Sequence, residues 1–275
     1  MNLEDHAGDI VRKARAMSHV SANAAAAAAR LSKEDLAAFE ASGLGGQRIN
    51  FNVLAPLVGL DARKLERIAN GWLPATKDTD QWRELRMITT AGEGMTVNCF
   101  LIWDAETRTA ALFDTGMDAH PVLELIAAKQ LTLQHVFITH SHWDHVDALP
   151  KLRRAFPDLQ LHNSSKKAPA AQRNQPGRMI PLGGLQIASR ETPGHADDGA
   201  TYIISDWPNN APQVAVVGDT IFAGSIGNGN GHWELAKQKV RDEILSLPRE
   251  TLICPGHGPL TSVAEERANN PFFEF

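Results

Sequence analysis

Cysteine is nearly absent. Cys99 and Cys254 are the only two in 275 residues, and they sit in separate apolar runs. No disulfide framework and no CxxC metal or redox motif follows from such a pair, and a reducing, cytoplasmic compartment is expected. Long apolar runs are missing too. Nothing reaches the roughly 18 consecutive apolar residues that a membrane-spanning helix needs. The opening "MNLEDHAGDI" has three acids in nine residues and lacks the basic and apolar regions of a secretory signal. An excess of positive charge is also absent. The formal charge is −5 and the pI near 6.1, which disfavours a surface built to collect nucleic-acid phosphates. Tyrosine occurs once, at Tyr202, and is expected to pack in a strand.

What is present suffices for a proper core: 43% of the residues are hydrophobic. The texture changes near residue 88. Before it the reading is helical, with an alanine-rich stretch, then "LSKEDLAAFEAS" with Ser32 as N-cap and Gly43 as stop, then two short helices joined at Gly59 with Asp61 as cap. Residues 1–88 are therefore expected to form a helical extension. A helix-turn-helix would share that outline, but residues 1–90 hold 12 Lys/Arg against 11 Asp/Glu, a balance that leaves no footprint for DNA. A substrate wall or a contact for homo-oligomerisation is the better expectation. Residues 89–275 alternate strands and helices. Hairpin and crossover connections are mixed, as in two mixed sheets with helices outside, an αββα sandwich.

"FITHSHWDHVDAL" carries the chemistry, packing His140, His142, Asp144 and His145 where a strand runs out into a helix. Two residues apart on extended chain, His140 and His142 face one side and can grip one metal. Asp144 and His145 are adjacent and suit a second. Imidazole and carboxylate without thiolate fit Zn, Fe or Mn at an open catalytic site. Three other strands end in a ligand-type residue beside glycine: His195 in "TPGH", Asp219 in "VVGDT" and His257 in "CPGH". The remaining histidines, at 6, 19, 120, 135, 162 and 232, show no such setting, and Cys254 is expected to pack rather than ligate.

The series His140-x-His142-x-Asp144-His145, then His195, Asp219 and His257, resembles the ligand set of the metallo-β-lactamase fold hydrolases. The resemblance implies a four-layer αββα sandwich over about Thr89 to Phe275. It implies two divalent metal ions, zinc first with iron or manganese as alternatives: His140, His142 and His195 on one, Asp144, His145 and His257 on the other, and Asp219 bridging. Asp114 in "FDTG" matches an aspartate that orients a ligand histidine. "GDTIFAGSIG" and the tail Glu266, Arg267, Asn270, Pro271 and Phe272 resemble glyoxalase II-type, hydroxyacylglutathione hydrolase-like proteins. With 18 residues after His257, the C-terminal helical domain with which full-length members hold glutathione is expected to be absent.

The expected function is hydrolysis of a small-molecule ester, a hydroxyacylglutathione-type thioester first, by hydroxide that two metal ions activate, with Asp144 and Asp219 as the catalytic carboxylates. Alternatives on the same site are a lactone or β-lactam hydrolase and a mono-iron persulfide dioxygenase. From another class comes a ligand-sensing regulator with a helix-turn-helix-like segment.

Overall fold

A computed structural model of the chain describes residues 2–46, 49–75 and 79–275. Five helices come first: α1 (Ala7–Met17), α2 (Ala22–Ala29), α3 (Lys33–Ser42), α4 (Phe51–Leu57) and α5 (Ala62–Ala69). Four of them start where a side chain takes up a free N–H of the first turn. His6 accepts from Asp9 N at 3.0 Å while Asp9 answers His6 N, and Ser21, Ser32 and Asp61 cap α2, α3 and α5. Gly43 ends α3 at φ 69°, a left-handed backbone that glycine adopts without strain. The alanine-rich stretch is interrupted. His19 turns the chain at φ 52°, and Ser21 restarts it as α2.

The remaining elements are β1 (Leu85–Gly92), β2 (Met95–Trp103), β3 (Thr109–Phe113), α6 (His120–Lys129), β4 (Thr132–Phe137), α7 (Trp143–Val146), α8 (Leu149–Ala155), β5 (Gln160–His162), β6 (Met179–Leu182), β7 (Leu185–Glu191), β8 (Ala200–Ser205), β9 (Val214–Gly218), β10 (Ile221–Phe222), β11 (Ser225–Ile226), α9 (Trp233–Lys239), β12 (Leu252–Pro255), β13 (Thr261–Ser262) and α10 (Val263–Asn269). One sheet runs β1-β2-β3-β4-β5 and the other β13-β12-β9-β8-β7-β6. The pairs β3/β4, β4/β5 and β9/β12 are parallel and the rest antiparallel. The boundary expected at 88/89 falls inside β1, which pairs with β2 from Leu85↔Ile102 to Gly92↔Met95. That strand lies at the sheet edge with few buried positions, so its residues carry little of the apolar pattern that announces a strand.

Period-two alternation assigns the layers. On β2, Phe100 and Ile102 enter the core between the sheets, while Cys99, Leu101 and Trp103 pack against α6 and α8. On β9, Val214 and Val216 face that inter-sheet core, while Ala215 and Val217 face the opposite way. There they meet α1–α5 and the chain's last residues, so the N-terminal helices form the outer layer on the second sheet. The order is helix, sheet, sheet, helix. Tyr202 and Cys254 are both buried in the central core. No helix among the described residues is long and apolar enough to cross a membrane.

Candidate metal centre

The sandwich brings the seven candidate ligands to one edge. His140 follows β4, Asp219 follows β9, His257 follows β12, and His195 lies in the β7–β8 connection. His142 stands at the N-cap of α7, whose single turn carries Asp144 and His145. Parallel pairing of β9 and β12 sets Asp219 beside His257, and Gly256 N donates to Gly218 O at 2.9 Å between them. Gly256 is required by close approach: a Cβ there would lie 2.6 Å from His145 Cε1.

Nδ1 of His142 lies 3.0 Å from Nε2 of His140 and 3.0 Å from Nε2 of His195. This nitrogen tripod approaches the roughly 3.3 Å edges that a tetrahedral ion with bonds of about 2.0–2.1 Å requires. On the other side, Asp144 Oδ2 lies 3.3 Å from His257 Nε2 and 3.6 Å from His145 Nε2. Asp219 stands between the two groups. Its Oδ2 is 3.6 Å from His195 Nε2 and 3.4 Å from His257 Nε2, and its Oδ1 is 3.3 Å from His145 Nε2.

The far ring nitrogens are tied to oxygens. His145 Nδ1 faces Asp114 Oδ2 at 2.8 Å, His195 Nδ1 faces Asn228 O at 3.1 Å, and His257 Nδ1 faces Thr96 O at 2.6 Å. Carbonyl and carboxylate oxygens only accept, so each Nδ1 carries the proton and each Nε2 lone pair is aimed inward. His140 Nδ1 meets Thr139 Oγ1 at 3.1 Å, and Thr139 Oγ1 donates to Asp114 Oδ2 at 2.7 Å. Asp114, in the left-handed region at φ 56°, thus serves two of the histidines.

Divalent ions fit this donor set. His145 Nε2 and Asp219 Oδ1 are buried within 3.3 Å of each other, yet neither has a hydrogen-bond partner. Leaving such a group unsatisfied costs about 1–3 kcal/mol, a cost that an ion between them removes. The electrostatics agree. Burial, then the nearby His145, pushes His140 well below its ordinary pKa, and burial also lowers His195. Burial opposes the charged form of Asp219, but His145 and His257 hold its carboxyl well below the usual range. Against burial, Asp219 and Asp114 hold His145 up to about 10, and Asp144 and Asp219 hold His257 up to about 11. A cation takes the place of those protons.

The centre opens into a cleft of ≈320 Å³ bordered by Met95, Trp143 and Phe222. Glu4 and Lys13, from the N-terminal segment, also line it. Sequence reading missed these two, and no local pattern marks them. Thr139 had a signal, a hydroxyl residue directly before the first ligand. His232 lies outside the site as the exposed N-cap of α9, and His135 pairs with His162 at 3.1 Å, away from the centre.

A family model described as the metallo-beta-lactamase superfamily matches residues 92–257. Hydroxyacylglutathione hydrolase GloC of Haemophilus influenzae is 30% identical over 201 residues, 64% of this chain and 92% of that protein. Among solved structures, ETHE1 from Myxococcus xanthus is 30% identical with a TM-score of 0.59, covering 68% of this chain and 83% of that one. A di-iron-bound form of TTHA1623 is 26% identical with a TM-score of 0.52, covering 68% of this chain and 100% of that one.

Proposed function

The chain belongs to the metallo-beta-lactamase superfamily and is a metal-dependent hydrolase, and from that premise we propose that it cleaves a small-molecule thioester of the hydroxyacylglutathione type, with zinc as the first candidate metal. One observation carries the finer reading. The two segments that resemble glyoxalase II-type proteins interlock beside the metal centre: Gly224 N donates to Glu266 Oε2 at 3.0 Å, and Asn270 Nδ2 donates to Ser225 O at 2.9 Å. Thr261 Oγ1 closes the clamp on Glu266 Oε1 at 2.8 Å. The tail thereby fixes the loop that runs on to Asn228, the partner of His195. Similarity to the Haemophilus hydrolase supports the same substrate class.

When bound, two divalent ions supply an activated water and a Lewis acid for the acyl oxygen. The chain's own residues do the rest. His140, His142 and His195 would hold one ion, Asp144, His145 and His257 would hold the other, and Asp219, which stands between the two groups, would face both. Asp219 also accepts a hydrogen bond from the attacking water and so orients its lone pair toward the acyl carbon. Met95, Trp143 and Phe222 give the acyl and thiol portions apolar walls. Water's oxygen bonds to the carbonyl carbon and the C–S bond breaks; one water proton goes to the leaving sulfur and the other is released, so thiol, carboxylate and a proton leave.

The test is elemental analysis of purified protein with a hydrolysis panel of thioesters, lactones, β-lactams and phosphodiesters. His142→Ala and Asp219→Ala are each expected to abolish hydrolysis with the fold retained. Near wild-type turnover by a folded Asp219→Ala protein sinks the two-metal reading. A single iron with oxygen consumption supports the dioxygenase instead.

A further inference from the structure

The chain that precedes the family-matched span reaches the mouth of the cleft at Glu4. This residue borders both the cleft over Asp219 and His257 and an adjoining opening of ≈680 Å³ beside the β1–β2 turn. Its place is built from two sides. Glu4 packs against the residue after His257, for a Cβ on Gly258 would lie 3.1 Å from Glu4 N. Next to it, Asp5 Oδ2 accepts from Lys13 Nζ and from Ser225 Oγ, both at 2.5 Å, and Lys13 Nζ also donates to Ile226 O at 3.2 Å. Asp5 and Ser225 are buried, so this staple fixes the backbone at Glu4 against the β10–β11 hairpin.

The Glu4 carboxylate itself makes no hydrogen bond or ion pair among the described residues. Its side chain is exposed at the cleft, yet burial of the carboxyl raises its pKa, His257 opposes that rise, and the like charges of Asp5 and Asp219 add to it. Lys13 favours the carboxylate only weakly, because its ammonium is committed to Asp5. An acid held in place by its neighbours and left without a hydrogen-bond partner at a substrate opening offers a counter-charge. Met95, Trp143 and Phe222 line the remainder with apolar surface.

We propose that Glu4 makes the cleft selective for thioesters that carry an ammonium group, which lies against its carboxylate beyond His257 while the acyl carbon sits over Asp219. The inference rests on the thioester reading for the bond that is cut, but the subsite is a property of the N-terminal segment. Glu4 acts on binding and takes no part in bond cleavage, so its effect belongs in KM.

The experiment uses the metal-loaded full chain and two isosteric pairs that differ by one positive charge. Acetylthiocholine and S-(3,3-dimethylbutyl) thioacetate read hydrolysis; thiocholine and 3,3-dimethylbutanethiol read binding by calorimetry. In wild type the charged member of each pair is preferred, and Glu4→Gln lowers both preferences about fivefold, the scale of a partly exposed ion pair, with the hydrolytic loss in KM. Unchanged preferences in the variant, a wild type that binds neither thiol, or equal losses for both members together with reduced metal content overturn the proposal. A shifted binding preference in a protein that hydrolyses neither thioester overturns the thioester reading and leaves the subsite standing.

Discussion

Asp114 shows how much of the centre one carboxylate organises. Its Oδ1 accepts from Thr139 N at 2.8 Å, and its Oδ2 accepts from Thr139 Oγ1 and from His145 Nδ1. An Asn at this position has one acceptor oxygen for three donors, so the imidazole of His145 loses its fixed orientation. Asp114→Asn is expected to lower metal affinity about 10- to 100-fold in competition with a chelator, with the far-UV circular dichroism unchanged. Unaltered affinity would mean that other contacts orient His145. The candidate ligands were legible in the sequence because residue type, spacing and flanking glycine all survive without three-dimensional information. Which ring atom each histidine presents was not. His142 turns Nδ1 inward while His140 and His195 use Nε2, a choice set by backbone direction at the start of α7 and by the outer partners.

Two elements at the edge of the central core carry a titrating pair. His135 on β4 and His162 on β5 are buried and share one hydrogen bond, Nδ1 to Nε2 at 3.1 Å, which requires one protonated and one bare nitrogen. The His162 ring stacks on Phe137 with centroids 4.5 Å apart. Burial, then the neighbouring His135, lowers His162 to about 4 from its ordinary 6.5. The unfolded chain therefore binds more protons between those values. Stability from this group is complete above pH 6.5 and is lost as pH falls towards 4, by up to about 3 kcal/mol. Urea unfolding midpoints at pH 7 and pH 4.5 are expected to converge in His162→Gln; a variant with the wild-type slope would place the acid sensitivity elsewhere. Most strands could be read because apolar runs bounded by Gly, Pro and Asn are local signals. The edge strands β1 and β6 could not: β1 alternates weakly, and β6 includes Pro181, a residue that a ladder tolerates only at its margin.

The whole molecule shares more core than its sequence suggests. Residues 1–88 read as an extension, yet Ile10, Leu54 and Leu65 belong to one apolar cluster with Ala215, Val217, Val263 and Phe273. Nothing local in an amphipathic helix says which distant sheet it will cover. Hydrogen bonds tie the same parts together, from Asp61 N to Pro271 O at 2.9 Å and from Lys64 Nζ to Phe273 O at 2.6 Å. Deleting residues 2–75 is expected to expose the outer face of the second sheet and leave aggregated or molten protein, while the full chain melts in one calorimetric transition. A stable, metal-loaded truncation would show the helices to be an appendage. The clasp between α5 and the tail also has a consequence for synthesis, which proceeds from the N-terminus at about 5–20 residues per second. The first helices leave the ribosome long before the sheet they cover, and Pro271 and Phe273 are made about 200 residues after α5. The apolar faces of α1 to α5 must therefore wait while that sheet and tail are made, a period in which nascent-chain chaperones have a ready client.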